Sequence, residues 1–137
     1  MFLPPNSGNN SAFLETLRLM LIHETRGGDG APRGLELAFA TPRSWLRPGR
    51  EIAVNDAPTS FGTLSYTLSA TDDSVHASVD VPAAGHLRTL RLRLRLPAGE
   101  HLTSVLIDGQ ASHAFDPVTG TIDLSGRSGS LSLDASF

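Results

Sequence analysis

Near the N-terminus the apolar residues recur with a helical period. Phe13, Leu14, Leu17, Met20 and Leu21 fall at i, i+1, i+4, i+7 and i+8, one stripe along a 3.6-residue repeat. Asn10 or Ser11 can cap the start and Gly27-Gly28 can stop it, so the pattern predicts an amphipathic helix over about residues 11–24. Leu19 and Ile22 widen the stripe beyond what one neighbouring sheet would cover. The helix is therefore expected to pack against more protein than the adjoining sheet offers.

From Gly34 onward the period switches to two. Leu35, Leu37 and Phe39 alternate with Glu36 and Ala38; Ile52 and Val54 with Glu51 and Ala53; Leu64, Tyr66 and Leu68 with Thr63, Ser65 and Thr67. The rhythm continues through Val75 to Val81 and through Leu90, Leu92, Leu94 and Leu96, which alternate with Arg91, Arg93 and Arg95. Shorter runs occur at Leu102 to Ile107, Thr121 to Leu124 and Leu131 to Phe137. Turn clusters separate them, Asp108-Gly109 being the sharpest hairpin signal. About eight short strands with frequent turns predict an all-β fold, an antiparallel two-sheet β-sandwich preceded by one N-terminal α-helix. No second helical pattern exists to carry the crossover of a parallel sheet. Residues 1–33 read as an N-terminal extension with the helix and a Gly-rich linker, and residues 34–137 as the sandwich domain.

At 137 residues and 39% apolar content, one folded domain is expected. The absence of Cys removes disulfides, thiol nucleophiles and Cys-based zinc sites. A net charge of −3 argues against a nucleic-acid partner. No run approaches the length of a membrane span, and Met1 to Asn6 does not read as a secretory signal, which leaves the compartment unknown. All 11 basic residues are Arg, which reads as the coding bias of a GC-rich bacterial genome.

Candidate chemistry is sparse. Gly28 to Gly34 has the wrong spacing and runs from helix to strand, the reverse of a dinucleotide fingerprint. Gly126-Arg127-Ser128-Gly129-Ser130 fails as a nucleophile elbow because Ser130 stands where the last Gly belongs. Asp72 and Asp73 sit together in a turn, where no cleft separates their roles as paired carboxylates must be separated. His76, His86, His101 and His113 lack ligand spacing, so no metal site, no cofactor and no catalytic residue is assigned. Two features remain as ligand-binding candidates. Arg91, Arg93 and Arg95 place three guanidinium groups along one strand face, able to grip an anionic polymer or a carboxylate-bearing sugar. The plainer reading is that they keep a leucine strand soluble and discourage edge pairing, with Glu51 or Asp80 as acidic neighbours. Trp45, in the loop Thr41 to Leu46, either anchors that loop or offers a face to a sugar, whereas Tyr66 shares the parity of Leu64 and Leu68 and reads as core.

The run from Thr41 through Trp45 to Ile52, together with Asn55-Asp56-Ala57-Pro58-Thr59-Ser60-Phe61-Gly62, resembles the C-terminal region of bacterial glycosidase-like proteins, in which an (α/α) toroid of the six-hairpin type precedes a β-sandwich. The resemblance continues through Arg93 to Pro97, the Val105 to Gly109 hairpin and the closing strands. It reaches back to Leu17-Arg18-Leu19-Met20-Leu21-Ile22-His23-Glu24, which resembles the last toroid helix. It covers nearly the whole chain but only the tail of the family. It implies a noncatalytic accessory sandwich that packs against and stabilises a catalytic domain carrying the acids. The expected partner is that helical domain, or a second copy through the helix; the alternative is a carbohydrate-binding module.

Overall fold

A computed structural model describes residues 7–83 and 85–137. Met1 to Asn6, the stretch weighed as a secretory signal, lies outside the described residues. Helix α1 (Ser7–Leu21) leads directly into strand β1 (Ile22–Arg26) and then β2 (Pro32–Leu37). A short 3₁₀ turn, η1 (Arg43–Leu46), precedes β3 (Glu51–Thr59), β4 (Gly62–Ala70) and β5 (Ser74–Val81). The chain continues through β6 (Thr89–Arg93), β7 (Ser104–Ile107), β8 (Gln110–Ser112), β9 (Phe115–Asp116), β10 (Thr121–Asp123) and β11 (Gly129–Ser136).

These strands form two sheets. Sheet A has the order β1-β2-β6-β10-β9 and sheet B the order β3-β4-β5-β11-β7-β8. The all-β two-sheet sandwich read from the alternation is the fold observed. Each of the eight expected runs supplies a strand, and β1, β8 and β9 are additional. The two sheets share one core, in which Leu35, Leu37, Leu90, Leu92 and Ile122 of sheet A meet Leu64, Tyr66, Leu68, Val79 and Leu133 of sheet B. Every one of these residues has the inward parity of its strand, because successive side chains point to opposite faces.

Three local expectations are corrected. The helix stops at Leu21 rather than near Glu24, because Leu21 O is captured by the sandwich, accepting from Ala38 N at 2.9 Å and from the Tyr66 hydroxyl at 2.9 Å. Ile22 and the next residues then pair as a strand, with Ile22 opposite Leu37 and His23 opposite Glu36. Consequently Gly27 to Gly34 is no linker. It holds a hairpin turn closed by Gly27 N to Ala31 O at 2.9 Å and braced by the Arg33–Asp29 ion pair at 2.7 Å, so the sandwich begins at Ile22 rather than at Gly34. Finally, β2 and β6 run parallel, with Leu35 opposite Leu90 and Leu37 opposite Leu92. The crossover that a helix would ordinarily supply is made by β3, β4 and β5, which pass through the other sheet.

The parallel pair explains Gly34. A Cβ there would lie 1.9 Å from Thr89 Oγ1 and 2.9 Å from Thr89 O, so only a residue without a side chain lets β2 sit this close to β6. At the other end of the fold, the Asp108-Gly109 signal is realised as a two-residue hairpin. Both residues have positive φ, 52° and 77°, the geometry of a type I′ turn matched to strand twist.

α1 meets the sandwich through its C-terminal end. Arg18 donates to Pro58 O, and from residue 8 onward no helical residue is fully buried. Beside it, Glu24 of β1 accepts from Ser60 N at 3.0 Å and from Ser60 Oγ at 2.5 Å, tying sheet A to the β3–β4 turn. Burial pushes the Glu24 carboxyl up, but the Ser60 hydroxyl and amide, with Arg18 and Arg26, outweigh it and hold the group below its ordinary value. A depressed folded pKa contributes stability above the unfolded value of 4.5 and loses it as pH falls through the lower, folded value. Urea denaturation monitored by circular dichroism should therefore show wild-type stability dropping more between about pH 6 and about pH 3 than that of Glu24→Gln. Equal drops would contradict the role given to this carboxylate.

Candidate functional site

The short turn η1 organises both candidate features. Its position derives from β2: at Ala38 the chain takes a positive φ of 56°, and Thr41 Oγ1 donates to Ala38 O at 3.1 Å, closing the bend that delivers η1 to the side of the sandwich. Leu46, 1% exposed, plugs η1 into the core. Trp45 is half-buried against the same core, so it anchors its segment. Its remaining surface lines a groove of about 620 Å³ together with Leu17, Leu21 and Ile52, between the end of α1 and the start of β3. Along α1, Phe13, Leu14 and Leu19 are 68%, 63% and 49% exposed.

The three arginines do not act as one ladder. Arg91 lies opposite Glu36 on β2 and opposite Asp123 on β10, so it is the cation in an outward row running His23, Glu36, Arg91, Asp123 across sheet A. His23 Nδ1 is 2.9 Å from Glu36 Oε2. Burial pushes the Asp123 carboxyl up, but Ser125, through its side chain and its amide, and Arg91 hold it below its ordinary value. The acidic neighbours expected for the arginines are thus supplied by Glu36 and Asp123. Glu51 and Asp80 belong to sheet B, bonded to Ser69 and Ser130. Edge protection is also excluded, since β6 is the central strand of sheet A.

Arg93 and Arg95 are grouped instead with Arg43, a residue that no sequence motif singles out. All three line one concavity with Glu100, Val118 and Thr119. Arg93 Nε donates to Thr119 O at 3.1 Å, and its guanidinium lies 5.7 Å from the centre of the Phe39 ring. Arg43 donates through Nη1 to Leu96 O. Arg95 Nε is shielded from solvent with no hydrogen-bond acceptor. Burial, then the neighbouring cations Arg93 and Arg43, hold the Arg95 guanidinium below the ordinary arginine value. Only the fold brings Arg43 here, some fifty positions along the chain from its neighbours; no spacing rule connects them.

The remaining titratable residues are dispersed. Asp72 and Asp73 stay exposed on the β4–β5 turn, and Asp73 accepts from Thr71 Oγ1 at 3.2 Å. His76 pairs with Asp134 at 2.8 Å on the outer face of sheet B, while the His86 ring lies 5.0 Å from that of Phe61. Among the described residues no group of three or more His, Cys, Asp or Glu side chains could hold a metal ion, and no helix is long and apolar enough to cross a membrane.

Fold and surface together define an all-β two-sheet sandwich with an N-terminal helix that exposes Phe13, Leu14 and Leu19, and an arginine-lined concavity beside η1. No family model, no curated protein and no solved structure matches the chain.

Proposed function

We propose that this chain is a noncatalytic accessory β-sandwich that docks, through α1 and the groove at its base, on a larger helical catalytic domain of a glycosidase-like protein and stabilises it. The observation that carries this reading is the exposure of Phe13 and Leu14 on α1, at 68% and 63%. Exposed apolar side chains adjacent on a helix favour association, because removing their surface from water yields about 25 cal/mol per Å². The groove at the base of α1, where Leu17, Leu21, Trp45 and Ile52 are joined by Arg47, Arg50 and Glu51, gives a partner contact with helix and sheet together. The resemblance of residues 17–24 and 41–62 to the tail of toroid glycosidases supplies the kind of partner.

Two measurements test the proposal. In sedimentation velocity the isolated chain is expected to self-associate as its concentration rises, the apolar helix finding a second copy in place of its domain. The double variant Phe13→Ser, Leu14→Ser should remain folded and monomeric. In the genome, in-frame codons upstream of Met1 are expected to encode alternating amphipathic helices. A wild-type chain that stays monomeric and binds no hydrophobic dye, or an upstream frame closed by stop codons, would overturn the proposal.

A further inference from the structure

Resting on the reading of α1 and its groove as a docking surface, we infer that the groove receives a helix of the partner with carboxylates beside its apolar anchor, and that Arg47 and Arg50 bind those carboxylates. The first observation is charge left without a partner. Arg47 and Arg50 line the groove and are exposed. The ion pairs among the described residues are His23–Glu36, Arg33–Asp29 and His76–Asp134, and neither guanidinium donates a hydrogen bond to another described residue. The one acid lining the groove, Glu51, accepts from Ser69 Oγ at 3.2 Å, so two cations face a single carboxylate that is already engaged.

The second observation is how the two arginines are held. They are the corners of Arg47-Pro48-Gly49-Arg50, a β-turn closed by Arg50 N donating to Arg47 O at 2.9 Å. Pro48 fixes a negative φ at the second position and Gly49 takes a φ of +76° at the third, which makes the turn type II and keeps the Cα atoms of Arg47 and Arg50 within about 7 Å of each other. The turn is pinned to the end of β4, Gly49 N donating to Ala70 O at 2.9 Å and Ala70 N to Arg50 O at 3.2 Å. Two like charges are thereby kept side by side on a fixed backbone. A carboxylate placed between them lowers their repulsion and accepts charge-assisted hydrogen bonds.

The third observation favours a protein segment over a small anion. Leu17, Leu21, Trp45 and Ile52 give the groove, of about 620 Å³, apolar walls. Phe13 and Leu14 lie three to four residues before Leu17, on the same stripe of α1, and both are exposed. An occupant that covers stripe and groove together is longer than a small molecule. Tryptophan and arginine are also the side chains that dominate protein contacts, the aromatic anchoring the centre and the charges at the rim selecting the partner.

Trp45 is the only tryptophan of the chain, so its emission reports what enters the groove. The full chain is titrated with a synthetic amphipathic helical peptide, leucines on one face flanked by glutamates, and with a twin carrying lysine at each glutamate position, both at concentrations where the peptide alone is monomeric. A saturable blue shift with the glutamate peptide is expected, with binding about tenfold or more weaker for the lysine twin, because two exposed ion pairs give way to repulsion. In the double variant Arg47→Gln, Arg50→Gln the two peptides should bind within about twofold of each other, with an unchanged melting temperature because neither side chain is bonded in the free protein. No saturable response to the glutamate peptide, equal binding of both peptides by the wild type, or a preference that survives in the double variant would overturn the acidic partner. Naphthalene-2-carboxylate binding as tightly as the peptide would assign the groove to a small acid, and the same shift on concentrating the chain alone would assign it to a second copy; either overturns the inference. Self-association that depends on Phe13 and Leu14 leaves docking through α1 standing after any of these results, so the two readings fail separately.

Discussion

Leu92→Ala is expected to destabilise the sandwich by about 3 to 4 kcal/mol, a large share of the roughly 5 to 15 kcal/mol that such a domain possesses. Leu92 is 0% exposed at the middle of sheet A, flanked in register by Leu37 on β2 and Ile122 on β10, which are also 0% exposed. Truncation removes the transfer energy of the lost carbons and leaves a cavity. Strands on both sides are held by their ladders and cannot move in to fill it. Arg91→Ala, one residue away on the outer face, should cost no more than about 1 kcal/mol. Thermal and urea unfolding of the two variants measures the contrast. Similar losses would contradict the parity assigned to β6.

Gly120→Ala should be nearly as damaging, at about 3 kcal/mol. Gly120 has a φ of +71°, and a Cβ built on it would lie 2.3 Å from Leu94 O. The left-handed conformation alone costs an L-residue about 1 to 2 kcal/mol, and the clash is with backbone, which cannot rotate away. Relief would pull apart the bond from Leu94 N to Gly120 O, at 2.8 Å, and that from Gly120 N to Asp116 O, at 3.0 Å. Those bonds fasten the 116–120 turn to the continuation of β6. Gly109→Ala is the control: its φ of +77° is similar, but nothing lies within 4 Å of the added carbon. It should lose only about 1 kcal/mol. A Gly120→Ala variant no worse than Gly109→Ala in chemical denaturation would show that the close approach to Leu94 carries no energy.

Both variants bear on how much of this molecule its sequence announces. Period-two alternation identified eight strands and most of their inward residues, including Tyr66; it failed at the end of β2, where Ala38, expected outward, takes a positive φ and is buried while Phe39, expected inward, lies half-exposed beneath Arg93. This pattern is local: it asks only which side chains share a face of one strand, and burial of the apolar face enforces the answer. Asp108-Gly109 was legible for the same reason, since the turn it forms is a property of two residues and their φ angles. The short β8 and β9 carry no such pattern; Gln110 to Ser112 becomes a strand because β7 lies beside it, and Phe115-Asp116 because β10 does.

Ile22-His23-Glu24 shows where local reading ends. The segment continues a helical stripe as readily as it begins an alternating strand. The choice is made by Ala38 and Tyr66, which take the Leu21 carbonyl, and by β2, which pairs with Ile22, His23 and Glu24. The candidate site was legible to the same extent. Alternation placed Arg91, Arg93 and Arg95 on one face, but their different surroundings come from other strands. Glu36 and Asp123 compensate Arg91, while Arg43 arrives from η1 to crowd Arg93 and Arg95. Trp45 was visible as a loop anchor or a face for a sugar, and packing adds that it is half-buried against the core while also lining a groove. From its own residues, then, this chain determined its periodicities, its strands and their faces, because those depend on neighbours along the backbone. The parallel β2–β6 pair, the end of the helix and the grouping of the arginines were decided by the tertiary structure, because each depends on residues brought together only when distant segments close on a shared core.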